Sequence, residues 1–237
     1  MILHTEAVGT GEPVIFLHTG LQTGNTDFEY QSEYFKHDFK VFKPDLRGHG
    51  KSDTNDYSNF FQDSARDLLE TMDHFKIEKA HIVGCSLGAL VGLIFTKNYP
   101  HKVQSLTLSG ILPEKPSNWL EAHQKDVEYQ SKILESKEVT DYFNSLHGEG
   151  WKQFINMGRE VDWYPFNETS ELTMNLPILF LVGEGNVNET KGAIIYPKLN
   201  KQVHVSIIPF AAHLVHSEQP EVYSKILEIF LKKHTIR

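Results

Sequence analysis

Cysteine is nearly absent. Cys85 is the single one among 237 residues, so the chain cannot close a disulfide on itself, as fits a reducing compartment. Long apolar runs are missing too. The uncharged stretch 82–96 is broken by glycine and polar positions and falls short of the ~20 apolar residues that span a bilayer. The opening residues, Met1-Ile2-Leu3-His4-Thr5-Glu6, carry neither the basic region nor the apolar core of a secretory signal. Positive charge is scarce: 23 Lys and Arg stand against 31 Asp and Glu, a net −8, with no cluster of the kind that grips nucleic-acid phosphates. Together these absences predict a cytoplasmic protein that engages neither membrane nor nucleic acid. They leave the oligomeric state open. What is present is the composition of a folded domain, since 40% hydrophobic residues are too many for a disordered chain.

Short apolar runs alternate with helical patterns through the first half. Residues 14–18 read as a buried strand opened by the turn cluster 9–13, and 39–44 as a second strand stopped by Pro44. Over 58–75, Phe61, Ala65, Leu68, Leu69, Met72 and Phe75 recur at three- and four-residue spacing, the stripe of an amphipathic helix. A strand at 81–84, a helix at 87–98 and a strand at 103–108 follow. Runs buried on both faces, separated by helices, indicate a parallel sheet covered on both sides. The alternation stops over 113–173, a stretch of helical period that holds all three tryptophans, Trp119, Trp151 and Trp163. Strands resume at 177–182 and 203–208, and a helix at 221–232 closes the chain. The expected organisation is an α/β core from 1–112 and 174–237, interrupted by a helical insertion at 113–173.

The most specific chemical signal is Gly84-Cys85-Ser86-Leu87-Gly88. This G-x-S-x-G falls between a strand and a helix, where a sharp turn can lift a serine out of the backbone. Flanking glycines keep side chains from striking the neighbouring backbone. The helix N-terminus beyond the serine offers unpaired N–H groups and the positive dipole end to developing negative charge. Ser86 is therefore the candidate nucleophile. Cys85 beside it points elsewhere and reads as a buried packing residue.

On these residues the chain resembles the α/β-hydrolase superfamily over nearly its whole length. His18-Thr19-Gly20 falls where that family carries an H-G-x loop. Asp45-Leu46-Arg47-Gly48-His49-Gly50-Lys51-Ser52-Asp53 matches its D-x-R-G-x-G-x-S-D loop, and Ala212-His213 with Glu218 and Pro220 matches its late histidine run. The resemblance implies a mostly parallel sheet of about seven strands, one fewer than usual because the chain begins at the second strand, with 113–173 as a cap. It implies His213 as the base for Ser86, with His216 as rival, and His18 and His49 as structural. Leu87 and Gly20 become the N–H donors of an oxyanion hole, with Leu21 as an alternative to Gly20 because Thr19 replaces the usual glycine. It implies no metal and no organic cofactor.

The third catalytic position departs from the family pattern. Relatives read G-x-x-D after the strand that precedes the acid, whereas this chain reads Gly183-Glu184-Gly185-Asn186-Val187-Asn188-Glu189. Asn186 occupies the acid's place and can accept a hydrogen bond from an imidazole, yet it supplies no charge. Glu189 or Glu184 could reach His213 from the same loop, and a degenerate site that only binds ligand is the third possibility. The expected activity is a carboxylesterase-like serine hydrolase acting on a small ester or acyl substrate. A cofactor-free lyase, carbon–carbon hydrolase or perhydrolase on the same fold is the alternative. Cap aromatics are expected to enclose an apolar cavity above Ser86.

Overall fold

The computed structural model describes residues 1–235. Seven strands, β1 (Thr5–Val8), β2 (Glu12–Leu17), β3 (Phe39–Pro44), β4 (Ala80–Cys85), β5 (Val103–Ser109), β6 (Ile178–Gly183) and β7 (Val203–Ile208), form one sheet in the order β1-β3-β2-β4-β5-β6-β7. Only β1 runs antiparallel, against β3. The predicted mostly parallel seven-stranded sheet is therefore the observed one, with its first strand starting at Thr5.

Alternation along the strands divides the core in two. Ile15 and Leu17, Ile82, Leu106 and Leu108, and Phe180 and Val182 face one layer with α2 (Phe60–His74), α3 (Leu87–Asn98) and Tyr196 of α9 (Gly192–Leu199). Val14 and Phe16, Val83, and Leu179 and Leu181 face the other, with α1 (Glu29–Phe35) and α11 (Pro220–Lys233). Helix α3 is buried from Leu87 to Thr96 because the sheet covers one side and α2 another. An apolar sequence with no polar stripe suits that place.

Between β5 and β6 the chain forms four helices, α4 (Trp119–Glu135), α5 (Lys137–His147), α6 (Trp151–Gly158) and α7 (Phe166–Thr169), and no strand. One aromatic group knits this segment together and another holds it down. Trp119 meets Tyr164 and Phe166, while Phe154 packs on His49 and Phe60 from the core. Each tryptophan N–H that becomes buried finds an acceptor: Trp119 on the Val161 carbonyl and Trp151 on Asn144.

Consecutive strands proceed in opposite lateral directions from β2, which lies between β3 and β4. Such a reversal leaves a crevice at the carboxyl ends of the strands. The turn after β4 sits there and is held tightly. A Cβ on Gly84 would strike the Gly88 carbonyl, and one on Gly88 would strike the carbonyl oxygens of Leu17 and His18. Gly88→Ala is expected to lower the unfolding free energy by about 2 kcal/mol or more, since the obstructing atoms are backbone. Urea denaturation that finds a change below about 0.5 kcal/mol, the range of an ordinary surface substitution, would refute this close approach.

Candidate active site

Ser86 is the hinge between β4 and α3. Its φ of 52° and ψ of −118° lie outside the regions that L side chains prefer, and its N–H is anchored on the Ser109 carbonyl at 2.9 Å. This geometry drives the hydroxyl away from the backbone. His213, in the loop after β7, places Nε2 3.0 Å from Ser86 Oγ although 127 positions separate them. Gly110 makes room for that ring: a Cβ there would lie 3.1 Å from His213 Cε1 and 3.0 Å from the Ser86 nitrogen. The loop around His213 is braced by Glu218, whose carboxylate accepts the N–H groups of Ala212 and Leu214 on either side.

The other ring nitrogen, Nδ1, lies 2.6 Å from Glu189 Oε1. Asn186, expected in that position, is not the partner of the imidazole. It is the N-cap of the one-turn helix α8 (Val187–Thr190). Its Oδ1 accepts the Glu189 N–H at 3.3 Å, while its Nδ2 donates to Glu189 Oε1 at 2.6 Å. The physical reason is the extra turn. Capping a short helix rotates the residue three positions on toward the cap, and so places a carboxylate where the resemblance had put an amide. The spacing Asn-x-x-Glu is that of a capping box, the sequence signal by which Glu189 could have been preferred over Glu184. Glu184 instead accepts the N–H of Phe210.

The charges are consistent with this pairing. Glu189 is buried, at 2% exposure, whereas the His213 side chain is 46% exposed. Burial opposes a charge on His213, but the hydrogen bond and negative charge of Glu189, aided by Glu218 and Asp126, outweigh it and raise the pKa above the ordinary value. Burial raises the Glu189 carboxyl, an effect that His213 partly offsets. The Cys85 thiol is fully buried and its pKa is pushed up, so it is a poor nucleophile.

His216 is turned away from Ser86. It is buried, stacks on Phe28 and places Nε2 2.6 Å from Asp27, whose carboxyl is held down at about 2, burial notwithstanding, by that contact and by the Thr19 N–H. His18 bridges two loops through the Leu46 N–H and the Thr19 carbonyl. His49 bonds to the Arg47 carbonyl. Asp45 accepts the N–H groups of Gly24 and Lys51, and Arg47 grips Asp67. All of these serve the loops around the crevice.

Leu87 opens α3, so its N–H has no acceptor within the helix. Gly20 follows the end of β2, which Gly88 approaches closely. Since Asp27 already takes the Thr19 N–H at 2.8 Å, the next amides in that loop are those of Gly20 and Leu21. A groove of about 460 Å³ lies between α2 and the insertion, lined by Phe60, Phe61, Ile94, Met157 and Trp163 but not by Ser86 or His213. Phe154 of the insertion packs against His49 and Phe60 of the core.

A family model described as "alpha/beta hydrolase fold" matches residues 12–137. Human "Serine hydrolase BPHL" is 32% identical over 97% of this chain and 83% of its own length. Several other curated relatives are matched over less than half of their length. Among solved structures, NosK from Streptomyces actuosus superposes with a TM-score of 0.80 at 22% identity, covering 94% of this chain and 98% of that one. A thermophilic esterase from Thermogutta terrifontis gives 0.72 at 21%, covering 98% and 94%. At those identities the two structures establish the fold.

The electrostatic pairing predicts a titration. The His213 ring resonances should show a midpoint above 6.5, the unperturbed value, and Glu189→Gln should move it downward because the favourable charge is gone. Proton NMR of the two proteins measures this directly; an unchanged midpoint would mean that the carboxylate does not act on the ring.

Proposed function

Because this chain belongs to the alpha/beta hydrolase fold family, we propose that it is a serine hydrolase of carboxylesterase type acting on a small ester. One observation carries the reading: a single imidazole joins Ser86 Oγ on one nitrogen and a buried carboxylate on the other. The ring must present an acceptor to the serine hydroxyl, and the carboxylate secures that state by accepting the proton on Nδ1.

As Ser86 Oγ bonds to the acyl carbon, its proton passes to His213 Nε2, and the carbonyl π pair moves onto oxygen. The N–H groups of Leu87 and Gly20 receive that oxyanion. When the ester C–O bond breaks, Nε2 returns the proton to the departing alkoxide. Water then gives a proton to Nε2 and its oxygen to the acyl carbon, the acid leaves, and Ser86 recovers its proton. Glu189 stays ionised throughout and stabilises the imidazolium in both halves. No step calls on a metal or an organic cofactor.

The carboxylate at His213 also argues against a decayed, purely ligand-binding protein, a reading that rested on Asn186. Asn186 acts one step back. It donates to the same oxygen that meets His213 and keeps the carboxylate facing the ring.

Three variants separate these roles with a p-nitrophenyl ester as substrate. Ser86→Ala is expected to abolish turnover above background. Glu189→Gln should lower kcat by roughly 10³–10⁴, as in the serine-protease template, and Asn186→Ala by only about tenfold because the acid remains. Wild-type rates in Ser86→Ala would exclude the mechanism; a larger loss for Asn186→Ala than for Glu189→Gln would restore Asn186 as the direct partner.

A further inference from the structure

The insertion touches the loop after β2 through the last residue of α5. His147 is buried, and its ring spans two loops of the core. Nδ1 lies 2.8 Å from the Gly50 nitrogen, and Nε2 lies 3.1 Å from the Leu21 oxygen. These partners define the state of the ring. Gly50 brings a proton and Leu21 a lone pair, so the imidazole is neutral, accepting at Nδ1 and donating at Nε2. Burial holds the His147 pKa below the ordinary value; His18 adds to this, while the bond to Leu21 and the charge of Asp45 oppose it. Phe143 stacks along one face and His49 meets the ring edge-on.

Leu21 is an unusual place for such a contact. Its φ is 62°, in the left-handed region that a leucine enters only when its surroundings hold it there. Leu21 follows directly on Gly20. On the other side of Gly20 the Thr19 N–H is fixed by Asp27, and the Thr19 oxygen meets His18 Nδ1 and the Gln22 N–H. The segment 19–21 is thus pinned at its start by the core and at its end by the insertion. A third contact comes from α6: a Cβ on Gly20 would lie 3.4 Å from the Phe154 ring.

We propose that His147 is a positioning residue for the oxyanion hole, fixing the backbone of Leu21 so that the preceding Gly20 N–H faces the substrate carbonyl at Ser86. The proposal rests on the serine-hydrolase reading above. The Gly20 donor is then set only while α5 is docked, and the insertion contributes to the chemistry without touching the reacting atoms. The bond to Gly50 matters equally, because it stops the ring from rotating out of line with Leu21. An amide side chain can imitate both contacts, since glutamine carries one acceptor and one donor end.

The test compares wild type, His147→Ala and His147→Gln. It reads kcat and KM on p-nitrophenyl acetate, and amide hydrogen exchange over residues 19–24 by mass spectrometry. His147→Ala is expected to lower kcat about 10- to 100-fold, the range for a displaced donor, with KM within about twofold and faster exchange in the loop. His147→Gln should recover most of the rate and of the protection. An alanine variant with wild-type kcat and unchanged exchange would overturn the proposal, as would equal losses in alanine and glutamine variants. If the alanine variant does not fold, His147→Leu takes its place, filling the space while making neither bond. The underlying reading is checked apart, by stoichiometric labelling of wild-type Ser86 with a fluorophosphonate. Without that label the hydrolase reading fails, and the exchange data alone decide whether His147 holds the loop.

Discussion

A carboxylate removed from water has to be matched by a positive charge or by several donors, and Glu189 is removed almost entirely. It is matched on one oxygen, by the amide of Asn186 and by the ring of His213. That single oxygen joins the ends of two strands: α8 follows β6, and the His213 loop follows β7. The ring then spans to Ser86 at the end of β4. Three connections that are remote along the chain converge because the buried charge cannot be left alone. Removing one partner leaves an uncompensated buried charge, which is why such a site is held as a unit.

The strained Ser86 backbone is supported from below by the same economy of space. Glycines at 84 and 88 let α3 approach β2 and its own turn, which places the first amide of α3 beside the loop after β2. Ser86 sits where a serine is disfavoured, and the surrounding backbone compels it to stay. The crevice is thus produced by packing that side chains would prevent.

Legibility in the sequence followed the range of the interactions. The turn at Ser86 could be read because strand, glycines and helix are contiguous and each is dictated locally. Strands such as 39–44 and 203–208 emerged at their observed limits, since apolar runs bounded by turn residues carry their own signal. His213 needed the family resemblance as well. Glu189 was only one of several candidates, because its role depends on a one-turn helix whose rotation no apolar period reveals. Helix α9 went unseen for a similar reason: Gly192 opens it and Pro197 lies within it, both poor helix signals, and burial of Tyr196 against Phe180 sustains it instead. The contacts of His147 could not be foreseen at all, since they pair residues about a hundred positions apart that share no pattern.

Gly110 stands at the border between sheet and insertion, with φ of 66° and with Ser86 and His213 pressed against its bare α-carbon. It belongs to the floor beneath Ser86 and His213 even though it is the first step out toward the helices. Anyone exchanging the helical insertion of this protein for that of a relative should therefore splice downstream of it. A junction one residue earlier would import a foreign side chain into the space that the imidazole occupies, and a well-folded chimera could be inert for that reason alone.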